Sequence, residues 1–229
     1  MSKVIAVIPA SGHSSRFASD KPKQYHQLLN KTILETTVTH LMVDSRISKI
    51  YIAVSPQDSL IATLNFTQAN VEILYCGGVT RANTVCNALS LIDCNSDDYI
   101  LVHDAARCLL HIEDLRDFIT AVDGSVGGIL AIKAIDTIKL GDSTQNVVQT
   151  LDREYVYQAQ TPQMFRYDIL YKAYNNADLA KVTDEASVIE KAGYPVLLVA
   201  AKHPNFKVTY PLDLVMAQAV LQYNIQESY

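Results

Sequence analysis

The most constraining feature of the chain is a rhythm in which short apolar, β-branched runs alternate with longer segments of helical periodicity. Lys3–Pro9, Lys49–Val54, Val71–Tyr75, Asp98–His103 and Pro195–Ala201 read as strands. Ile33–Val43, Arg81–Ile92, Ile112–Val122, Asp184–Ala192 and Leu212–Tyr223 read as helices, with Pro211 suited to a helix start. That alternation predicts an α/β fold with a mostly parallel sheet and helices on both faces. Ligands in such sheets bind beyond the carboxyl ends of the strands. The loops that start at Pro9, Tyr75 and His103 are therefore expected side by side on one edge.

One stretch breaks the rhythm. From Ile129 to Gln160 the pattern is strand-like, with Gly141-Asp142-Ser143 as a turn between Thr137–Leu140 and Val147–Thr150. An inserted hairpin must bury its apolar face on its own domain or on a second subunit, and the pattern alone favours neither. The 229 residues show no repeat or long linker, so residues 1–229 read as a single domain with an inserted arm at about 133–158.

A net charge of -5 argues against binding a nucleic-acid polymer, yet leaves room for a local basic pocket. The apolar run Val4–Ile8 is too short to cross a bilayer and no cleavage site follows it, so no membrane association and a cytoplasmic location are expected. Cys76, Cys86, Cys94 and Cys108 form no C-x-x-C pair and read as reduced thiols. The six histidines are scattered without metal-ligand spacing, and no metal site built from protein ligands alone is expected.

Three loops could carry chemistry. In the first, Pro9 to Tyr25, the small residues Ala10, Ser11 and Gly12 let backbone N–H groups approach phosphate oxygens. Arg16, Lys21 and Lys23 add fixed positive charge on the same loop. With one glycine it matches neither the dinucleotide fingerprint nor a Walker loop, and alone it reads equally well as a solvated loop. In the second, Gly77-Gly78 permits a tight turn and Thr80 can cap the next helix. Arg81 then falls in the first helical turn, where a cation needs a nearby anion. In the third, His103-Asp104-Ala105-Ala106-Arg107 ends an apolar strand; Asp104 could hold Mg²⁺ and Arg107 an anionic substrate, or the two could form a structural pair. Thr183-Asp184-Glu185 reads first as a helix cap, and Arg153 and Lys207 first as surface residues.

Taken together, Lys21-Pro-Lys-Gln-Tyr25, His103-Asp-Ala-Ala-Arg107, Gln160-Thr-Pro-Gln163, Thr183-Asp-Glu-Ala186 and Lys207-Val-Thr209 resemble the 2-C-methyl-D-erythritol 4-phosphate cytidylyltransferases of the non-mevalonate isoprenoid pathway. The resemblance runs in order from the Pro9 loop to Leu214. It implies a Rossmann-like nucleotidyltransferase fold with a protruding β-hairpin arm, Mg²⁺ bound mainly through the CTP phosphates, and a homodimer whose arms exchange. By position, Pro9, Ala10, Ser11, Gly12, Arg16 and Lys23 match the nucleotide-phosphate loop. Gly78, Arg81 and Thr84 match the turn that recognises cytosine and its ribose surroundings. Asp104, Ala105 and Arg107 match the ribose, metal and acceptor region. Thr137 and Arg153 match arm residues reaching the partner's acceptor, and Thr183 and Lys207 complete the site.

The implied reaction is attack of the acceptor phosphate on the α-phosphorus of CTP, with Arg16, Lys23 and Lys207 as its catalytic charges. The chain departs from the family at Ser11, Ser15, Val79, Asn83, Cys108 and Tyr210, none of which removes a group assigned to catalysis. A ribitol 5-phosphate cytidylyltransferase, and a non-catalytic nucleotide-binding domain, are the competing readings.

Overall fold

Strand β1 (Val4–Pro9) buries residues on both of its faces, as a strand central to a covered sheet must. The computed structural model describes residues 2–12, 15–17, 19–66 and 70–227, with the side chains of Ser15 and Glu227 excepted. The expectation attached to the Ser15 side chain therefore lies outside what is described.

A small hairpin of β2 (Gln27–Leu28) and β3 (Lys31–Thr32) leads into α1 (Ile33–Met42). Thr32 caps α1 by accepting from Glu35 N, and Glu35 returns the bond to the Thr32 backbone. Then follow β4 (Ile47–Ala53), β5 (Val71–Leu74), α2 (Arg81–Leu89), β6 (Tyr99–Val102), α3 (Ile112–Val122) and β7 (Gly127–Lys133). The hairpin β8 (Lys139–Gly141) and β9 (Val147–Thr150) precedes β10 (Tyr157–Arg166). The chain ends with α4 (Tyr167–Asn175), α5 (Glu185–Lys191), β11 (Leu197–Ala200) and α6 (Pro211–Glu227).

Seven strands form one sheet in the order β11-β7-β10-β6-β1-β4-β5. Every pairing is parallel except those of β10, which runs against β6 and β7. Alternate residues of β1 point to opposite cores. Ala6 and Ile8 meet Leu34, Val38 and Leu41 of α1 and Phe118 of α3. Ile5 and Val7 meet Val85 of α2, Leu170 of α4 and Ile189 of α5. A third, smaller core joins Phe17, Leu28, Ala106, Cys108 and Val208 to Ala217 and Leu221 of α6.

The expected α/β architecture is present, with element ends shifted by a few residues. The sequence reading lacked α4, and its strand-like stretch divides into β7, β8, β9 and β10. The hairpin turn is longer than expected: Asp142 Oδ1 accepts from Thr144 N and Asn146 N, closing the turn over residues 142–146. Both strands of this hairpin are exposed throughout, so its own domain does not bury it. Among the described residues no helix is long and apolar enough to cross a membrane.

Candidate active site

Parallel pairing puts the carboxyl ends of β1, β4, β5 and β6 on one edge. Ala10 N donates to Ala53 O at 2.8 Å, His103 N to Val7 O at 3.0 Å and Gly77 N to Val54 O at 2.7 Å, so the three loops leave side by side. Because β10 is antiparallel, its amino end reaches the same edge, as do the carboxyl ends of β7 and β11. The loops enclose a cavity of about 780 Å³. Pro9, Ala10, Ser11, Gly12, Arg16, Lys23, Gly78, Arg81, Asp104, Ala105 and Lys207 all line it.

The loop is held by uncharged contacts. Gln24, buried, donates from Nε2 to Ala10 O at 2.7 Å. Ser11 Oγ and Thr84 Oγ1 lie 2.7 Å apart, and Thr84 Oγ1 accepts from Gly78 N at 3.0 Å. Thr84 is fully buried and does not line the cavity, so it joins the first loop to the glycine turn from behind. Thr80 caps α2, and Asn83 accepts from the Thr80 N–H, which is what the Asn83 departure does here. Val79 is wholly exposed and Cys108 wholly buried.

Asp104 is the acidic residue at the cavity wall. Its Oδ1 accepts from Arg81 Nε at 2.8 Å; its Oδ2 lies 3.0 Å from Lys207 Nζ and 3.4 Å from Arg107 Nε. Burial alone would raise its pKa, but Arg81, Lys207 and Arg107 overcome that and hold the carboxyl well below the usual range. Lys23 is pushed down to about 8, first by burial and then by repulsion from Lys207 and Arg16, with Asp104 and Asp213 acting the other way.

His103 does not face the cavity. It is fully buried, Nε2 donates to Arg107 O at 3.0 Å, and Nδ1 therefore accepts from Thr161 Oγ1 at 3.0 Å. Thr161 Oγ1 in turn accepts from Asp104 N at 3.0 Å. Burial lowers the histidine pKa to about 4, so it serves as a neutral clamp on the Asp104–Arg107 turn.

The other candidate residues occupy less central places. Arg81 lines the cavity, and the anions beside it in the chain itself are the carboxylates of Asp104 and Glu185. Arg107 lies outside the cavity lining, its Nη1 donating to Asn205 O at 2.7 Å. Thr137 and Arg153 are exposed on the arm, with Arg153 Nη1 bound to Ile135 O, so within one chain they do not join the cavity. Thr183-Asp184-Glu185 is the helix cap expected, with Asp184 capping α5 and Glu185 in its first turn, and Thr183 is exposed. The histidines are not all apart: His111 and His203 stack with centroids 3.7 Å apart, and with Glu113 they place possible ligand atoms within 4.8 Å of one another. Both Nδ1 atoms already have protein partners, His111 accepting from Glu113 N at 3.3 Å and His203 lying 3.2 Å from Asp114 Oδ2.

The sequence reading missed other residues. Ser55, Pro56 and Gln57 line the cavity but carry no motif signal. Gln24, Thr161 and Glu185 stood inside quoted motifs without a role. Cys76, Cys86, Cys94 and Cys108 are free thiols.

Comparison with known proteins matches this geometry. The family model for 2-C-methyl-D-erythritol 4-phosphate cytidylyltransferase covers residues 4–223. A protein of that name from Haemophilus influenzae is 45% identical over 224 residues, covering 96% of this chain and 97% of the relative. One from Mannheimia succiniciproducens is 46% identical, covering 95% and 96%. The Francisella tularensis crystal structure superposes with a TM-score of 0.81 at 36% identity, covering 96% of this chain and all of that one. A 4-diphosphocytidyl-2C-methyl-D-erythritol synthase structure gives 0.83 at 35% identity, covering 96% and 99%. With the catalytic edge, the projecting hairpin and the full-length matches in agreement, the chain belongs to the 2-C-methyl-D-erythritol 4-phosphate cytidylyltransferase family.

Proposed function

We propose that this cavity takes CTP and that the chain transfers its CMP moiety to 2-C-methyl-D-erythritol 4-phosphate. The observation that carries the reading is the convergence of Arg16, Lys23 and Lys207 on one cavity whose floor is the small-residue loop Ala10–Gly12. An acceptor phosphate oxygen forms a bond to the α-phosphorus while the bond to the bridging oxygen breaks, and the electron pair departs on pyrophosphate. The acceptor is already ionised near neutral pH, so no protein base is needed. The chain aligns two polyanions and neutralises charge with its own cations and loop N–H groups.

Magnesium fits the donor set. A single carboxylate amid several cations is no protein cage for a divalent ion, but it suits an ion carried mainly on triphosphate oxygens. Asp104 would hold it there, and the ion would supply further neutralisation of phosphate charge.

Arg107, paired with Asp104, and Thr183, beside the first turn of α5, would meet the acceptor from outside the CTP cavity. Thr137 and Arg153 reach an acceptor only if the arm serves a partner subunit. Support for a homodimer with exchanged arms comes from the hairpin itself, which leaves Leu140, Val147 and Val148 exposed.

Pyrophosphate release from CTP, measured with 2-C-methyl-D-erythritol 4-phosphate, with ribitol 5-phosphate and with neither, tests the proposal. Release is expected with the first acceptor. Release confined to ribitol 5-phosphate, or none with either acceptor, overturns it.

A further inference from the structure

Arg81 opens α2, an end where the helix dipole disfavours a cation. Its guanidinium is divided between two carboxylates on different elements. Nε donates to Asp104 Oδ1, while Nη1 and Nη2 donate to Glu185 Oε1 and Oε2 at 2.7 and 3.0 Å. The Glu185 side chain is wholly buried, and its Oε1 also accepts from the Tyr174 hydroxyl at 2.9 Å. Burial, and then Glu185, push that hydroxyl far above its ordinary range, so it stays a donor. Arg81 likewise stays charged, because Glu185 and Asp104 outweigh the effect of burial.

The seat of Glu185 is fixed from the sheet. Gln163 on β10 accepts from Ala186 N at 2.9 Å and donates to Asp184 Oδ2 at 2.9 Å, locking the first turn of α5. Glu185 does not line the cavity, so it touches no substrate bound there. Its leverage runs through Arg81. Asp104 must share its oxygens among Arg81, Lys207 and Arg107. A bidentate carboxylate on the far edge of Arg81 balances that cation and fixes which edge meets Asp104.

We propose that Glu185, steadied by Tyr174, is a positioning residue for the transfer reaction. It holds Arg81 so that only Nε engages Asp104 Oδ1, and Oδ2 remains to seat Lys207 and Arg107. The inference rests on the proposed role of Asp104 and Lys207 at the transferred phosphate. Without the Glu185 charge, Arg81 draws more heavily on Asp104 and loosens Lys207, which meets the reacting phosphate rather than the base or ribose.

Glu185→Gln, which keeps size and one acceptor, tests this. The expected result is a kcat lowered about tenfold or more, with KM for CTP changed less than about threefold, in a folded protein. Tyr174→Phe removes one hydroxyl and is expected to lower kcat in the same direction but less, which keeps the test open should Glu185→Gln fold poorly. The double variant Arg81→Gln/Glu185→Gln is expected to lose no more than the worse single variant, since the two side chains act as a unit.

A folded Glu185→Gln protein with kcat within about twofold of the parent overturns the inference, as do losses that multiply in the double variant. A thermal midpoint that falls while kcat and KM hold also overturns it, because that is a purely structural role. Asp104→Asn separates the two levels: full activity there sinks the reading of the site itself, whatever Glu185 does.

Discussion

Lys23 shows how residue-scale electrostatics reach function. Its cationic form is the one that can hold a phosphate oxygen, and its pKa is lowered to about 8. In the free enzyme that charge is present below about 8 and lost above it. Since kcat/KM reports the free enzyme, its profile for CTP should be level below about pH 8 and decline above. Lys23→Arg, permanently charged, should move the decline to higher pH, and a profile that keeps its midpoint in that variant counts against Lys23 as its source. Lys23→Ala should lower kcat by about 10²–10³ with folding intact, and near-parental turnover removes Lys23 from the catalytic set. His103 contributes no limb near its ordinary pKa, because its lowered value of about 4 keeps it neutral there.

At the scale of elements, the glycine turn and the phosphate loop share one space. A Cβ at Gly77 would collide with Ser11 Cβ and stand 2.9 Å from Val54 O. Gly77→Ala should therefore displace the first loop and raise KM for CTP about tenfold while circular dichroism stays unchanged. An unaltered KM would mean that the loop is not held by that packing. The element pattern was legible where turn chemistry punctuated it, as at Thr80 and Pro211. Helix α4 was not: Arg166 ends β10 and enters the helix directly, without a side-chain cap, and aromatic Tyr167, Tyr171 and Tyr174 blur its periodicity. The start of β7 was hidden because glycines carry little strand propensity, whereas at Gly127-Gly128 the missing Cβ lets Phe165 and Leu197 approach the backbone. The loop charges of the site were legible for a similar local reason. The Arg81–Glu185 pair was not, since 104 residues separate its members and no local pattern links them.

Across the whole molecule, three cores support the catalytic edge, while both strands of the β8–β9 limb stay exposed throughout. Leu140, Val147 and Val148 gain a partner only outside the chain if the proposed dimer forms. Replacing Val147 and Val148 by Asp should shift the sedimentation profile from dimer to monomer and weaken use of the acceptor more than use of CTP. A dimer that persists at micromolar concentration in that variant counts against the arm as the interface.

The direction of β10 has a genetic consequence. Because β10 runs against its neighbours β6 and β7, the limb leaves and returns at the catalytic edge, and in the proposed dimer each body would borrow its acceptor clamp from the other polypeptide. Two defective alleles can then rescue one another. Mixing Lys23→Ala with Arg153→Ala chains leaves one intact site in each heterodimer, about a quarter of the parental activity after random exchange. Arms that serve their own bodies leave every site damaged, so the mixture would stay as inactive as its parents.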